Sequence, residues 1–249
     1  MTPHSSYSQR LPGAVFDQNG RKQKAHKILA VLSDYFQGSL HTLKVLDLGC
    51  ASGIITRVLA PCFKRIVGTD IDLHALEYAR SPETNHAVFF PSDAMNLPFK
   101  NEVFDIVICA HVYEHVPDSA KLMGEIRRVL KQGGVCFFAA GNRVRLVEPH
   151  YRLPLLSILP TAFADLYLRL TAKGAHYEEK HLTYWGLKRL VSGFQVLDYT
   201  KKILHDPEKY SATDLCTTGS LKQKSAILFS RLAYGLVPTY VFLLKKIKP

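Results

Sequence analysis

The feature that most restricts what this chain can fold into is an alternation. "LKVLDLG", "RIVGTD", "HAVFF", "VFDIVICA" and "GVCFFAA" are short runs of apolar, strand-forming residues. Segments of helical spacing separate most of them: Ser52 to Ala60, Asp72 to Ala79, and a stretch built on Leu122, Ile126, Val129 and Leu130. Strands that are apolar throughout have no polar face to give to water. Joined through helices, they predict a parallel sheet covered on both faces. The expected fold class is therefore α/β, with a mostly parallel sheet and helices on both faces.

The flanking regions extend this pattern. Residues 1–20 are polar and turn-rich and are expected to form a loose N-terminal arm. From Arg21 the residues Ala25, Ile28, Leu29, Leu32 and Phe36 recur at helical spacing, with Gly38 as a stop. The rhythm breaks after Ala140 and resumes at "TYWGLKRLVSGF" and "QVLDYT", with Thr183 placed to cap the helix. The expected organisation is one domain over 1–249: a core at 21–140, a capping insertion after the fifth strand at 141–182, and helices and strands at 183–249 that complete the sheet.

Composition narrows the setting only a little. Lys plus Arg outnumber acids 32 to 21, a net +11, which favours anionic partners without naming one. The five cysteines are odd in number, scattered and partly inside apolar runs, so they read as reduced thiols of a cytoplasmic protein. The start lacks an apolar signal core. "AILFSRLAYGLVPTYVFLL", Ala226 to Leu244, is interrupted by Arg231, Gly235 and Pro238, and reads as a helix followed by a strand, not as a membrane span.

The first strand runs into a loop, "VLDLGCASG", where Gly49 and Gly53 bracket Cys50, Ala51 and Ser52. A glycine turn after a buried strand lets a ligand approach the backbone. A dinucleotide would need the G-x-G-x-x-G spacing and would be repelled by Asp47 at the strand end. A carboxylate there suits a ligand carrying an ammonium and a sulfonium, namely S-adenosylmethionine. Asp70 ends the second strand, where a carboxylate can accept both ribose hydroxyls. "SDAMNLPF" and "FDIVICAHVYEHV" follow in order, and "EIRRVLKQGG" leads into the fifth strand.

In this ordered series the sequence resembles the class I S-adenosylmethionine-dependent methyltransferases, in particular the small-molecule branch that includes quinone-biosynthesis enzymes. The resemblance spans about Leu43 to Ala140, with Ala51 standing where glycine is commoner. It implies a Rossmann-like, doubly wound, mostly parallel seven-stranded sheet, with Asp47 and Gly49 facing the methionine end of S-adenosyl-L-methionine and Cys50, Ala51 and Gly53 as further cofactor-binding residues of the loop. It also implies that Asp70 holds the ribose, Ile71 lies on the adenine, Asp93 takes the adenine amino group, the Ala94 backbone meets the ring, and the Ala110 carbonyl takes the ammonium.

The acceptor side is less legible. Methyl transfer to a hydroxyl needs alignment and a proton acceptor, and a histidine suits the second task. His111, at the lip of the fourth strand, and His150, in the insertion, are the candidate bases. His176, Tyr177, His181 and Tyr184 are further candidates for the pocket wall. "HVYEH" matches a zinc-protease spacing but lacks a third ligand, so no metal is expected. Nucleic acid is disfavoured as acceptor because "AHVY" replaces the Asn/Asp-Pro-Pro-aromatic tetrad of the base-amino methyltransferases. A cofactor-binding scaffold without transfer activity is the other alternative. Apolar helices in the insertion and near the C-terminus, with Arg152, Arg169, Arg231, Lys245, Lys246 and Lys248, suit a small-molecule or lipid-like acceptor and contact with an anionic membrane.

Overall fold

A computed structural model describes residues 7–80 and 87–248; the first six residues of the expected arm lie outside them. Seven strands form the central sheet: β1 (Lys44–Leu48), β2 (Arg65–Asp70), β3 (Ala87–Pro91), β4 (Phe104–Ala110), β5 (Leu130–Gly141), β8 (Gln195–Asp198) and β9 (Thr239–Lys245). Their order is β3-β2-β1-β4-β5-β9-β8. β1 pairs in parallel with β2 and β4, β2 with β3, and β4 with β5, whereas β9 runs antiparallel to both β5 and β8. Six strands thus share a direction and one is reversed. The strand order turns back between β1 and β4, and beyond the carboxyl ends of the strands at such a point an open α/β sheet leaves a crevice.

The apolar runs bury both faces as their lack of alternation requires. One face packs Val45, Ile66, Ile106 and Phe137 under α3 (Gln18–Phe36) and α4 (Ile54–Leu59). The other packs Leu46, Val107, Cys136 and Phe138 under α6 (Ser119–Val129) and α8 (Tyr184–Leu190). α5 (Leu73–Ala79) is capped by Asp72, which accepts from the Ala75 N–H at 3.2 Å. Thr183 caps α8 as its position suggests. All five cysteines are free thiols.

Two expectations change. Residues 7–16 are not a loose arm: α1 (Tyr7–Arg10) and α2 (Pro12–Phe16) are helical, and Asp17 caps α3 through the Gly20 N–H. Tertiary bonds hold this segment down, with the Ser8 N–H on Asp72 at 2.7 Å and the Ser52 hydroxyl on the Val15 carbonyl at 2.6 Å. α3 also ends at Phe36, one residue before a left-handed Gln37, and not at Gly38 itself.

The insertion contains a hairpin of β6 (Val147–Glu148) and β7 (Leu153–Pro154), followed by α7 (Thr161–Leu170). It has its own small core of Leu153, Leu156, Ala164 and Leu168. Tyr113 ties its two ends together. The Tyr113 hydroxyl donates to the Gly141 carbonyl at 2.6 Å and accepts from the Leu182 N–H at 3.2 Å. The remaining helices, α9 (Thr200–His205) and α10 (Leu221–Leu232), lead into β9. Among the described residues no helix is long and apolar enough to cross a membrane.

Candidate active site

A cavity of about 610 Å³ opens at the carboxyl ends of the strands, and its walls come from almost every element that meets there. Of the residues singled out in the sequence, Asp47, Gly49, Cys50, Ala51, Asp70, Ile71, Asp93, Ala94, Ala110, His111 and His150 all line it. Gly53 does not. Its φ is +68°, and a Cβ there would sit 2.8 Å from Ala79 Cβ and the Phe89 ring, so Gly53 serves the packing of α4 against the sheet and not the cavity wall.

The glycine loop is shaped by backbone geometry. Gly49 has φ +66°, and a Cβ would lie 2.7 Å from Val112, so this turn requires glycine. Ala51 holds φ +50° without that freedom, which costs about 1 kcal/mol. The Ala51 N–H donates to Asp70 Oδ2 at 2.8 Å and the Asp72 N–H to Asp70 Oδ1 at 2.9 Å. Each oxygen retains a lone pair, so Asp70 can still accept a diol. Asp93 accepts one bond, from the Met95 N–H at 2.8 Å.

Asp47 is 3% exposed, and the Thr56 hydroxyl donates to it. Burial pushes its carboxyl up to about 7, against the opposing Thr56 bond and the Arg21 charge. Arg21 and Lys24 also line this end of the cavity, and burial lowers both. The sequence analysis missed them because charges on the polar face of an amphipathic helix look like a solvated surface. Packing of α3 on α4 brings its first turns over the loop.

The opposite half is built by the β4 turn and the insertion. His111 has φ +60°, an uncommon conformation for a bulky residue, and its Nδ1 lies 3.2 Å from the buried Glu114. In His150, Nδ1 donates to Glu148 Oε1 at 2.8 Å and lies 3.8 Å from Glu179. The second Glu148 oxygen accepts the Tyr151 N–H at 2.8 Å, so this fully buried carboxylate fixes both the hairpin turn and the ring. Its charge raises His150 against the lowering effect of burial, while burial pushes Glu179 up to about 7. The Tyr7 ring stands edge-on to His115 and His150, at 5.0 and 6.2 Å between centroids, and closes the cavity from the N-terminal side.

Other wall candidates lie elsewhere. His181 is buried behind the cavity, does not line it, and is held down to about 4 by burial. Tyr184 packs on Tyr240 and Tyr234. His176 and Tyr177 bond Asp165 through a ring nitrogen and a backbone N–H respectively. Among the described residues no set of three or more His, Cys, Asp or Glu is arranged to hold a metal. In "HVYEH", His111 binds Glu114 while His115 packs edge-on against Tyr7 and His150.

The donor set matches the expected cofactor group by group. Asp47 with Arg21 complements an ammonium beside a carboxylate, Asp70 a ribose diol, and the half-exposed Ile71 with Ala94 an adenine face. Comparison with known proteins agrees. Residues 46–138 match a family described as a methyltransferase domain. Ubiquinone biosynthesis O-methyltransferase of Proteus mirabilis is 31% identical over 67% of this chain and 67% of its own. The enzyme of the same name from Actinobacillus pleuropneumoniae serotype 5b is 28% identical over 70% and 75%. Among solved structures, an S-adenosylmethionine-dependent methyltransferase of Mesorhizobium loti overlays with a TM-score of 0.54 at 17% identity, covering 84% of this chain and 93% of that one. The YcgJ protein of Bacillus subtilis does so with 0.53 at 18% identity, covering 91% and 99%, and both likenesses speak to the fold. Loop, carboxylates, sheet order and relatives together make this chain a member of the S-adenosylmethionine-dependent methyltransferase family.

Proposed function

We propose that the protein methylates a hydroxyl of a small or lipid-like acceptor, with His150 as the proton acceptor. The observation that carries this reading is the Glu148–His150 pair. A buried carboxylate takes the Nδ1 proton, which leaves Nε2 as the basic nitrogen of a ring lining the acceptor half of the cavity. In the cofactor half, Asp47 and Arg21 bind the amino-acid end, Asp70 the ribose, and Asp93 with the Ala94 backbone the adenine. Bound in this way, the cofactor would supply the methyl group, and its sulfur would leave as a neutral thioether. The protein's task is alignment and removal of one proton. The acceptor oxygen forms the new bond to the methyl carbon as its proton passes to His150 Nε2. His111, held by Glu114 at the lip of β4, is the neighbouring wall on this route.

The relatives named for ubiquinone biosynthesis favour an O-methylated, lipid-soluble acceptor. So does the apolar surface of the insertion. Leu146, Val147, Phe163, Leu166 and Leu170 of the insertion are each more than half exposed, and Val147 also lines the cavity. Exposed apolar residues of this kind, of which Val147 reaches the pocket, suit an acceptor drawn from a lipid phase.

The test uses methyl-labelled cofactor and a host lipid extract as the source of acceptor, with the product read by mass spectrometry. The Glu148 carboxylate raises His150 above its ordinary 6.5, so turnover should climb with pH through a midpoint above 6.5. Glu148→Gln should move that midpoint down, and His150→Asn should abolish the limb. An unchanged profile in His150→Asn would remove His150 from the role.

A further inference from the structure

The cavity holds a charge that methyl transfer to a neutral alcohol does not use. Arg145 lines the acceptor half and is 6% exposed, so its guanidinium is among the least solvated charges in the molecule. Its bonds are few and long: Nε donates to the Asn142 carbonyl at 3.3 Å and Nη2 to the Pro238 carbonyl at 3.5 Å. Among the described residues no carboxylate lies within ion-pair distance of it, although Glu114, Glu148 and Glu179 are buried in the same region. A guanidinium carries five N–H donors, so three remain unused. Leaving a desolvated cation this poorly paired is costly unless something arrives to pair it.

The site is also shaped around this side chain. At Gly141 a Cβ would lie 1.7 Å from Arg145 Nη2 and 2.7 Å from Cζ. No other residue at the end of β5 leaves room for the guanidinium where it stands. Its neighbours Pro238 and Thr239, at the head of β9, line the same cavity. β9 is three strands from β1, and at about 4.8 Å per strand that is roughly 14 Å from the Asp47 end. Arg145 therefore belongs to the half assigned to the acceptor.

We propose that Arg145 is an oxyanion receptor, and that the acceptor carries a carboxylate or phosphate group in addition to the hydroxyl that is methylated. The planar guanidinium fork matches such a group with two parallel N–H donors. The inference rests on the insertion half being the acceptor site. Binding tests it without turnover, so it can fail separately from the O-methylation reading.

The full-length protein, saturated with S-adenosylhomocysteine, is titrated by calorimetry and saturation-transfer NMR with 3-hydroxybenzoate, its uncharged methyl ester, and phenyl phosphate. At least one anion should bind ten or more times tighter than the ester. Arg145→Gln should bring that anion to the level of the ester, and Arg145→Lys should keep part of the preference. S-adenosylhomocysteine affinity should stay within about twofold in both variants, which also reports that they fold. The proposal is overturned if the ester binds as well as both anions, if no probe binds, or if Arg145→Gln keeps the preference. A tenfold loss of S-adenosylhomocysteine affinity in that variant would overturn it too, by assigning Arg145 to the cofactor's own carboxylate. Anion preference without any methylated product would instead sink the O-methylation reading and leave the receptor standing. If both Arg145 variants fail to fold, the wild-type preference decides.

Discussion

Asp47 carries the sharpest conflict between stability and binding at the level of single residues. Its carboxyl is buried, and folding raises it from the ordinary value to about 7. A group raised in this way is protonated in the folded protein while already ionised in the unfolded chain. Stability therefore falls as pH climbs from about 4 through 7. Asparagine keeps an oxygen for the Thr56 hydroxyl and cannot ionise. Asp47→Asn should melt about 2 to 6 °C higher than wild type at pH 8, with the gap closing below about pH 4. It should bind S-adenosylmethionine at least about tenfold more weakly, since a charged hydrogen bond to the ammonium is lost. Scanning calorimetry across pH together with a cofactor titration reads both effects, and equal melting at pH 8 would show that the buried charge costs nothing. His181 has the opposite sign. Held down to about 4, it stays neutral in the fold, and its contribution is lost as pH falls from 6.5 toward 4.

At the scale of elements, the site depends on how the loop passes into α4. Gly53 stands on the N-terminal side of that helix with φ +68°, pressed against Ala79 of α5 and Phe89 of β3. Its role is to bring α4 close enough for Thr56 to reach Asp47. Gly53→Ala combines a left-handed strain with a clash in a packed core and should destabilise by about 2 to 4 kcal/mol. Denaturant unfolding checks this, and a loss below 1 kcal/mol would mean that the helix can shift freely. α3 contributes in the same way, since its first turns carry Arg21 and Lys24 to the cavity only because its apolar face docks on α4. The insertion is fastened at its root by Tyr113 and Asn142. The Asn142 amide donates to the carbonyls of Gly235 and Val237, each at 2.9 Å.

For the molecule as a whole, the surface chemistry is divided between the two ends of the sheet. Thr239, the first residue of β9, lines the cavity, while Lys245 pairs with Val135 at the far end. The C-terminal lysines therefore sit away from the mouth. Lys246 is also not a free surface cation: it is 7% exposed and donates to the Leu130 carbonyl at 2.7 Å and to Glu102 at 3.1 Å. The surface expected to meet a lipid is then that of α7, where Phe163, Leu166 and Leu170 are exposed on the helix that also carries Arg169. Flotation with anionic vesicles at low salt should recover the protein, and Phe163→Ser with Leu166→Ser and Leu170→Ser should abolish recovery. Neutralising Lys245 and Lys248 should leave it nearly unchanged. The reverse pattern would move the contact to the C-terminal end.

The sequence by itself determined the sheet and the cofactor, and it named many of the residues that line the cavity. Strand and loop chemistry are local: five apolar runs, a glycine turn that excludes a Cβ at Gly49, and carboxylates at strand ends are legible because each constraint acts within a few residues. Order and direction of the strands carry those ends to one crevice. What tertiary structure alone decided is everything that reaches the cavity from a distance. Arg21 looked like a solvated helix face and Tyr7 like part of a loose arm, and Glu148 carried no signal of its own in the sequence. Gly53 looked like a ligand contact until packing set it against Phe89. No local rule distinguishes a buried charge from an exposed one in these segments. The difference is made by which faces dock, and docking is driven by apolar area summed over elements far apart in the chain.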